Sequence, residues 1–345
     1  MKAAILHGKA NIQIEEIAAP ALKPGEVRLR IEAALTCGTD LKVFKRGYHA
    51  KMIAPPAVFG HELAGTISEL GDESPELGWK IGDRVVAANS APCGECFFCK
   101  NHQENLCDHL QFLNGAYAES IVVPARIVQK NLLRLKPGTD FADAALTEPL
   151  ACVVQGVDDT RLRAGQRVLV IGAGPIGLMF CALARHLGGK VTVAGRHAAR
   201  LEAARHLGAD QTIDVGDGRD LPAKIRAATQ SPFDVVIEAV GRPETWEAAV
   251  HLTRKGGTVN FFGGCPAGAT ITLDTASIHY SNLTLLASFH HTPRAVRRAL
   301  AFIEAEVIRA VDFVDGECPL SKLPELFSSM AAGNHAIKTL IKIRE

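Results

Sequence analysis

Val168-Leu-Val-Ile-Gly172-Ala-Gly174-Pro175-Ile176-Gly177 runs from an apolar, strand-like segment through a glycine-spaced turn into the start of a helical stretch. In that setting Gly172 permits a tight turn, Gly174 lets a pyrophosphate approach the backbone, and Gly177 lets the helix pack close to a sheet. Pro175 and Ile176 form the first helical turn, where free amides and the positive end of the helix dipole would face bound phosphates. Further apolar runs at 191–193, 235–237 and 258–262 alternate with helical segments such as 176–187 and 198–207. This is the pattern of βαβ units, so residues from about 150 to 289 read as a doubly wound parallel sheet that binds a dinucleotide.

The choice of dinucleotide falls at the end of the second strand, where an acidic residue would hold the ribose hydroxyls of NAD. Here the segment reads Val193-Ala-Gly195-Arg196, with Arg200 one helical turn further on. A glycine removes repulsion of a 2′-phosphate, and two guanidiniums can bond to one. NADP is therefore favoured over NAD.

Upstream of about residue 130 the text changes to short β-like runs separated by glycine and proline, at 27–31, 63–67, 84–88 and 119–123, which suggests an antiparallel barrel-like unit. After about residue 288 a helical stretch (293–304) and a β-like run (337–343) do not continue the βαβ alternation and are expected to rejoin this first unit. Within it, Cys93-Gly-Glu-Cys96-Phe-Phe-Cys99 is followed by Cys107. Short gaps let successive sulfurs turn toward one point, and the loop before Cys107 completes a tetrahedral thiolate set. Four thiolates leave a zinc ion no open position, so this lobe (about 90–110) is structural and the chemistry must lie elsewhere.

Cys37-Gly-Thr39-Asp40, Gly60-His61-Glu62 and Glu148-Pro149 together offer a thiolate, an imidazole and two carboxylates. Mixed sulfur, nitrogen and oxygen donors with one open position are the arrangement of catalytic zinc. With the cysteine lobe and the glycine turn, these fragments make the chain resemble the zinc-dependent medium-chain dehydrogenase/reductase family over essentially its whole length. The carboxylate-containing set resembles the polyol branch, which holds sorbitol, threonine and galactitol-phosphate dehydrogenases; alcohol dehydrogenases with a two-cysteine, one-histidine set carry cysteine where this chain has Glu148.

The resemblance implies a GroES-like β-barrel catalytic domain of residues 1–149 and 290–345 and a Rossmann domain of residues 150–289. It implies one catalytic and one structural zinc per chain. Cys37 and His61 would be fixed ligands of the catalytic ion, Glu62 and Glu148 would share or exchange the remaining position, and Asp40 would orient His61. Thr39 matches the family's hydroxyl that passes on the substrate proton. Many relatives continue that relay with a histidine five residues after the metal cysteine, where this chain has Lys42, so either Lys42 or water near the carboxylates would carry the proton. The implied reaction is hydride transfer between a secondary alcohol, a polyol or sugar derivative, and NAD(P). Alternatives are amino-alcohol oxidation of the threonine dehydrogenase type and a non-catalytic nucleotide- and metal-binding protein of the same fold.

Composition agrees with a small-molecule alcohol or ketone as the partner. The 345 residues carry 38 Lys and Arg against 37 Asp and Glu, which gives no field for nucleic acid or an acidic membrane surface. No apolar run approaches the roughly 20 residues of a membrane span. A cytoplasmic homodimer or homotetramer is the expected form.

Overall fold

The computed structural model describes residues 1–49, 51–333 and 336–344. The chain divides into two compact units, one of Met1–Ala151 with His291–Glu345 and one of Cys152–His290.

The first unit is built on a seven-stranded sheet. Its order is Leu132–Arg134, Arg84–Ala87, Glu62–Leu70, Val27–Leu35, Lys338–Lys342 and Val314–Pro319, with Ser120–Val123 also pairing Val27–Leu35. All these pairs are antiparallel except the last two strands of the order, which run parallel to each other, a departure from the all-antiparallel expectation. Register brings the strand ends together: Leu35 stands opposite Glu62 on one side and Leu340 on the other. The C-terminal strand, far away in sequence, thus lies beside the turn that follows Leu35. Leu29, Ile31, Leu63, Ile67 and Val85 fill the core, and Phe59, Tyr117 and Phe327 meet there with ring centroids 5.4–6.0 Å apart. Burial of such side chains contributes about 1.5–3 kcal/mol each relative to exposure.

In the second unit, six parallel strands lie in the order Gln211–Asp214, Lys190–Gly195, Arg167–Ile171, Phe233–Glu238, Thr253–Phe261 and Thr284–Leu286. The order reverses between Arg167–Ile171 and Phe233–Glu238, and such a switch point leaves a crevice at the carboxyl ends of the strands. Helices Pro175–His186 and Pro243–Leu252 each start with proline, whose fixed φ and missing N–H suit the first helical position. The strand expected from residue 258 begins at Thr253, with a register shift between Phe233 and Val235 in its pairing. Among the described residues, no helix is long and apolar enough to cross a membrane.

Candidate active site and nucleotide cavity

Cys37 ends the turn after Val27–Leu35 and caps helix Gly38–Arg46, its sulfur accepting the Thr39 amide at 3.4 Å. That helix buries Asp40, Val43 and Phe44. Asp40 accepts from His61 Nδ1 at 2.9 Å through one oxygen and from the Tyr117 hydroxyl at 2.8 Å through the other. With Nδ1 so engaged, Nε2 is the nitrogen that a metal ion would use in place of a proton. Glu62 opens the next strand and is fully buried; its Oε2 receives Lys338 Nζ at 2.5 Å, while Oε1 is buried without a hydrogen-bond partner. Donor atoms of Cys37, His61 and Glu62 lie within 4.8 Å of one another.

Burial and close charges shift the titration of Cys37, His61, Glu62 and Lys338. Burial pushes the Cys37 thiol and the Glu62 carboxyl up, and Lys338 only partly draws Glu62 back. Burial disfavours protonated His61, yet Asp40 and Cys37 outweigh it and hold the imidazole well above its usual value. Glu148, on helix Thr147–Thr160, is pushed up to about 7 by burial, with His61 opposing and Glu62 adding to the shift. An unpartnered buried carboxylate oxygen beside a desolvated thiol and an oriented imidazole is a donor set that zinc fits.

Glu148 lies outside that set of mutually close donors, although its charge is felt at His61 and Glu62. Thr39 is half-buried beside Cys37. Lys42 does not join these groups: it is exposed on the same helix, off the face that carries Asp40, Val43 and Phe44. The buried cation of the cluster is instead Lys338, only 2% exposed, whose Nζ also donates to Thr36 O at 3.0 Å. Tyr117 escaped the sequence reading as well. Its only local signal is the preceding Gly115-Ala116, and Lys338 opens a strand that also ends in a lysine, so its burial is not marked in the sequence.

The sulfurs of Cys93, Cys96, Cys99 and Cys107 also lie within 4.8 Å of one another. Cys93 and Cys99 are 3.9 Å apart and Cys93 and Cys107 are 3.5 Å apart, near the roughly 3.8 Å edge of a tetrahedron with zinc–sulfur bonds of ~2.3 Å. Backbone amides point at this cluster: Cys93 receives those of Glu95 and Cys96, which pull its thiol down to about 6, whereas burial pushes Cys99 up to about 12. Four thiolates so close together need a metal cation to coexist.

In the second unit a cavity of about 630 Å³ opens at the switch point. Gly172, Gly174, Gly195, Arg196 and Arg200 line it, as do Arg219 and Arg242, which the sequence reading passed over. Pro175, Ile176 and Gly177 are not among the residues that line it. Gly172 has φ +114°, and a Cβ on Gly177 would lie 1.8 Å from Gly172 O, so these glycines answer to a left-handed turn and a close helix approach. Glu238, fully buried beneath the loop, accepts from the Val240 and Gly241 amides and the Thr245 hydroxyl and so fixes the far wall.

Residues 23–133 match the family described as alcohol dehydrogenase GroES-like domain, and residues 175–305 match zinc-binding dehydrogenase. D-arabinitol dehydrogenase 1 of Uromyces fabae is 31% identical over 94% of this chain and 91% of its own. Sorbitol dehydrogenase of Bacillus subtilis is 27% identical over 99% of this chain and 97% of its own. Among solved structures, a zinc-binding dehydrogenase of Sinorhizobium meliloti 1021 bound to NADP superposes with a TM-score of 0.89 at 29% identity, covering 99% of this chain and 98% of the other. Glycine turn, GroES-like match and polyol-dehydrogenase relatives agree, and the chain belongs to the polyol branch of the zinc-dependent medium-chain dehydrogenases, enzymes that use a nicotinamide cofactor.

Proposed function

We propose that this enzyme interconverts a polyol, or a sugar derivative with a secondary hydroxyl, and the corresponding ketone, with NADP as the preferred cofactor and two zinc ions per chain. The observation that carries the reading is the convergence of Cys37, His61 and Glu62 around an unpartnered carboxylate oxygen, in a chain whose other unit holds a glycine-lined cavity. Cys37, His61 and Glu62 would hold the catalytic ion, with Glu148 as the carboxylate in reserve, and Cys93, Cys96, Cys99 and Cys107 the structural one. When bound, zinc supplies a Lewis acid for the alcohol oxygen and the nicotinamide supplies the hydride acceptor.

The protein's own groups do the rest. Asp40 fixes the orientation of His61, and Tyr117 fixes Asp40. Thr39, two residues past the cap that Cys37 forms, is the hydroxyl that accepts and passes on the substrate proton. Gly172, Gly174 and Gly177 shape the phosphate turn. Arg196 and Arg200, which line the cavity, favour a 2′-phosphate, and Gly195 sets no carboxylate against it; the glycine is also demanded by packing, since a side chain there would meet Ala173 Cβ at 2.5 Å. The same reading holds residues 1–149 with 290–345 to be the catalytic domain and 150–289 the nucleotide domain, in a cytoplasmic homo-oligomer.

Metal analysis together with a screen of tetritols, pentitols and hexitols against both cofactors tests the proposal. The expected result is two zinc ions per chain and turnover of at least one polyol with a higher kcat/KM for NADP. A single zinc confined to the cysteine lobe, with no polyol turnover, overturns it.

A further inference from the structure

Lys338 sits where three strand ends meet. Its Nζ donates to Glu62 Oε2 at 2.5 Å and to Thr36 O at 3.0 Å, and the side chain is 2% exposed. The neighbouring backbone is tied to the same turn: Thr36 N donates to Thr339 O at 3.1 Å and Thr339 N to Thr36 Oγ1 at 2.9 Å. Thr36 precedes Cys37. The C-terminal strand therefore grips both the turn that presents the thiol and one oxygen of the carboxylate, leaving only Glu62 Oε1 without a partner.

A carboxylate can serve a metal through either oxygen or through both, and a free one would pivot. An ammonium bonded to Oε2 removes that freedom before any metal arrives. We propose that Lys338 is a positioning residue of the metal site, clamping Glu62 so that it serves the ion through Oε1 alone and bracing the Cys37 turn, so that the donor set is assembled in advance. The inference rests on the zinc reading above and goes beyond it in making the C-terminal strand part of the site. Two effects of Lys338 oppose each other. Its positive charge repels a cation, so removing it would tighten binding, whereas loss of the clamp would weaken binding. Partners that orient metal ligands are typically worth 10- to 100-fold in affinity, and this clamp holds two ligand-bearing elements at once, so the clamp wins.

The test is Lys338→Met in the full-length protein, loaded with cobalt(II) as a spectroscopic probe and challenged with a chelator. The expected result is a roughly 10- to 100-fold weaker site and an altered visible cobalt spectrum, with the four-cysteine site as an unchanged internal control. Lys338→Arg, which keeps the charge, should recover most of the affinity. Lys338→Gln replaces the Met variant if the latter does not fold. Unchanged affinity and spectrum, or a tighter site, overturns the proposal. Wild-type protein that takes up cobalt only at the four cysteines would instead refute the zinc reading on which it rests.

Discussion

Gly177→Ala is a small change with a large expected effect. In an ordinary helix the substitution stabilises by about 0.8–1 kcal/mol, because alanine is the better helix former. Here the new methyl would stand 1.8 Å from Gly172 O, about 1.2 Å inside the 3.0 Å closest approach that real Cβ atoms show. Gly172 cannot simply withdraw, since its amide is bonded to Ala194 O at 2.8 Å and its own Cβ position is hemmed in by Val240 and Ala239. Overpacking of this kind costs about 1–3 kcal/mol, which exceeds the gain in propensity. The cheapest relief is a shift of the phosphate turn by about 1 Å, and a displacement of that size costs on the order of 100-fold in kcat/KM. Cofactor titration by fluorescence, steady-state kinetics and metal analysis measure the result. Cofactor affinity and kcat/KM should fall while metal content stays at the wild-type level. Wild-type cofactor affinity in the alanine variant would refute the assignment of this turn to the pyrophosphate.

Tyr117→Phe keeps the ring among Phe59 and Phe327 but strands Asp40 Oδ2 without its donor, so thermal unfolding should report a loss of about 1–3 kcal/mol; an unchanged midpoint would show that the hydroxyl does not brace Asp40. Lys42→Met should leave the pH–rate profile unchanged, because the side chain faces solvent; a shifted profile would restore it to the proton path. Asp234→Asn tests a linkage in the second unit. Burial tends to raise the Asp234 carboxyl, but the Arg167 amide at 2.7 Å and Arg254 at 2.6 Å outweigh it and the net shift is downward. A depressed carboxyl stabilises the fold above its unfolded value, near pH 4, and that contribution fades as pH falls through the folded value. The asparagine variant should be about 1.5 kcal/mol less stable at neutral pH and draw level with wild type in acid, as read from denaturant midpoints; a gap that persists undiminished in acid would exclude the linkage.

What could be read from the sequence was local. The glycine turn and the four cysteines are each set by spacing within one short stretch, and the distances between sulfurs follow from turns of two residues. Helix Thr147–Thr160 accommodates Pro149 because it sits in the first turn, where its missing N–H has no intrahelical partner to lose. Counting along the chain puts Lys42 five residues from Cys37, but only the helix shows its direction: Asp40, Val43 and Phe44 mark the inward face, and residue 42 falls off it. Lys338 could not be paired with Glu62 from spacing at all, since strand order alone joins residues 276 apart.

That separation also imposes a timetable. The four-cysteine cluster is complete once the 15 residues from Cys93 to Cys107 have been made, so its zinc can be taken up by a short nascent segment. On the proposal that Lys338 positions Glu62, the site of Cys37, His61 and Glu62 must wait for it. At about 5–20 residues per second, synthesis of the intervening 276 residues takes on the order of 15–55 s, during which the thiol and the carboxylate lack the strand that positions them. On the proposed two-zinc reading, the two ions are expected to enter in a fixed order set by chain connectivity, the structural one early and the catalytic one only when the C-terminal strand closes the sheet.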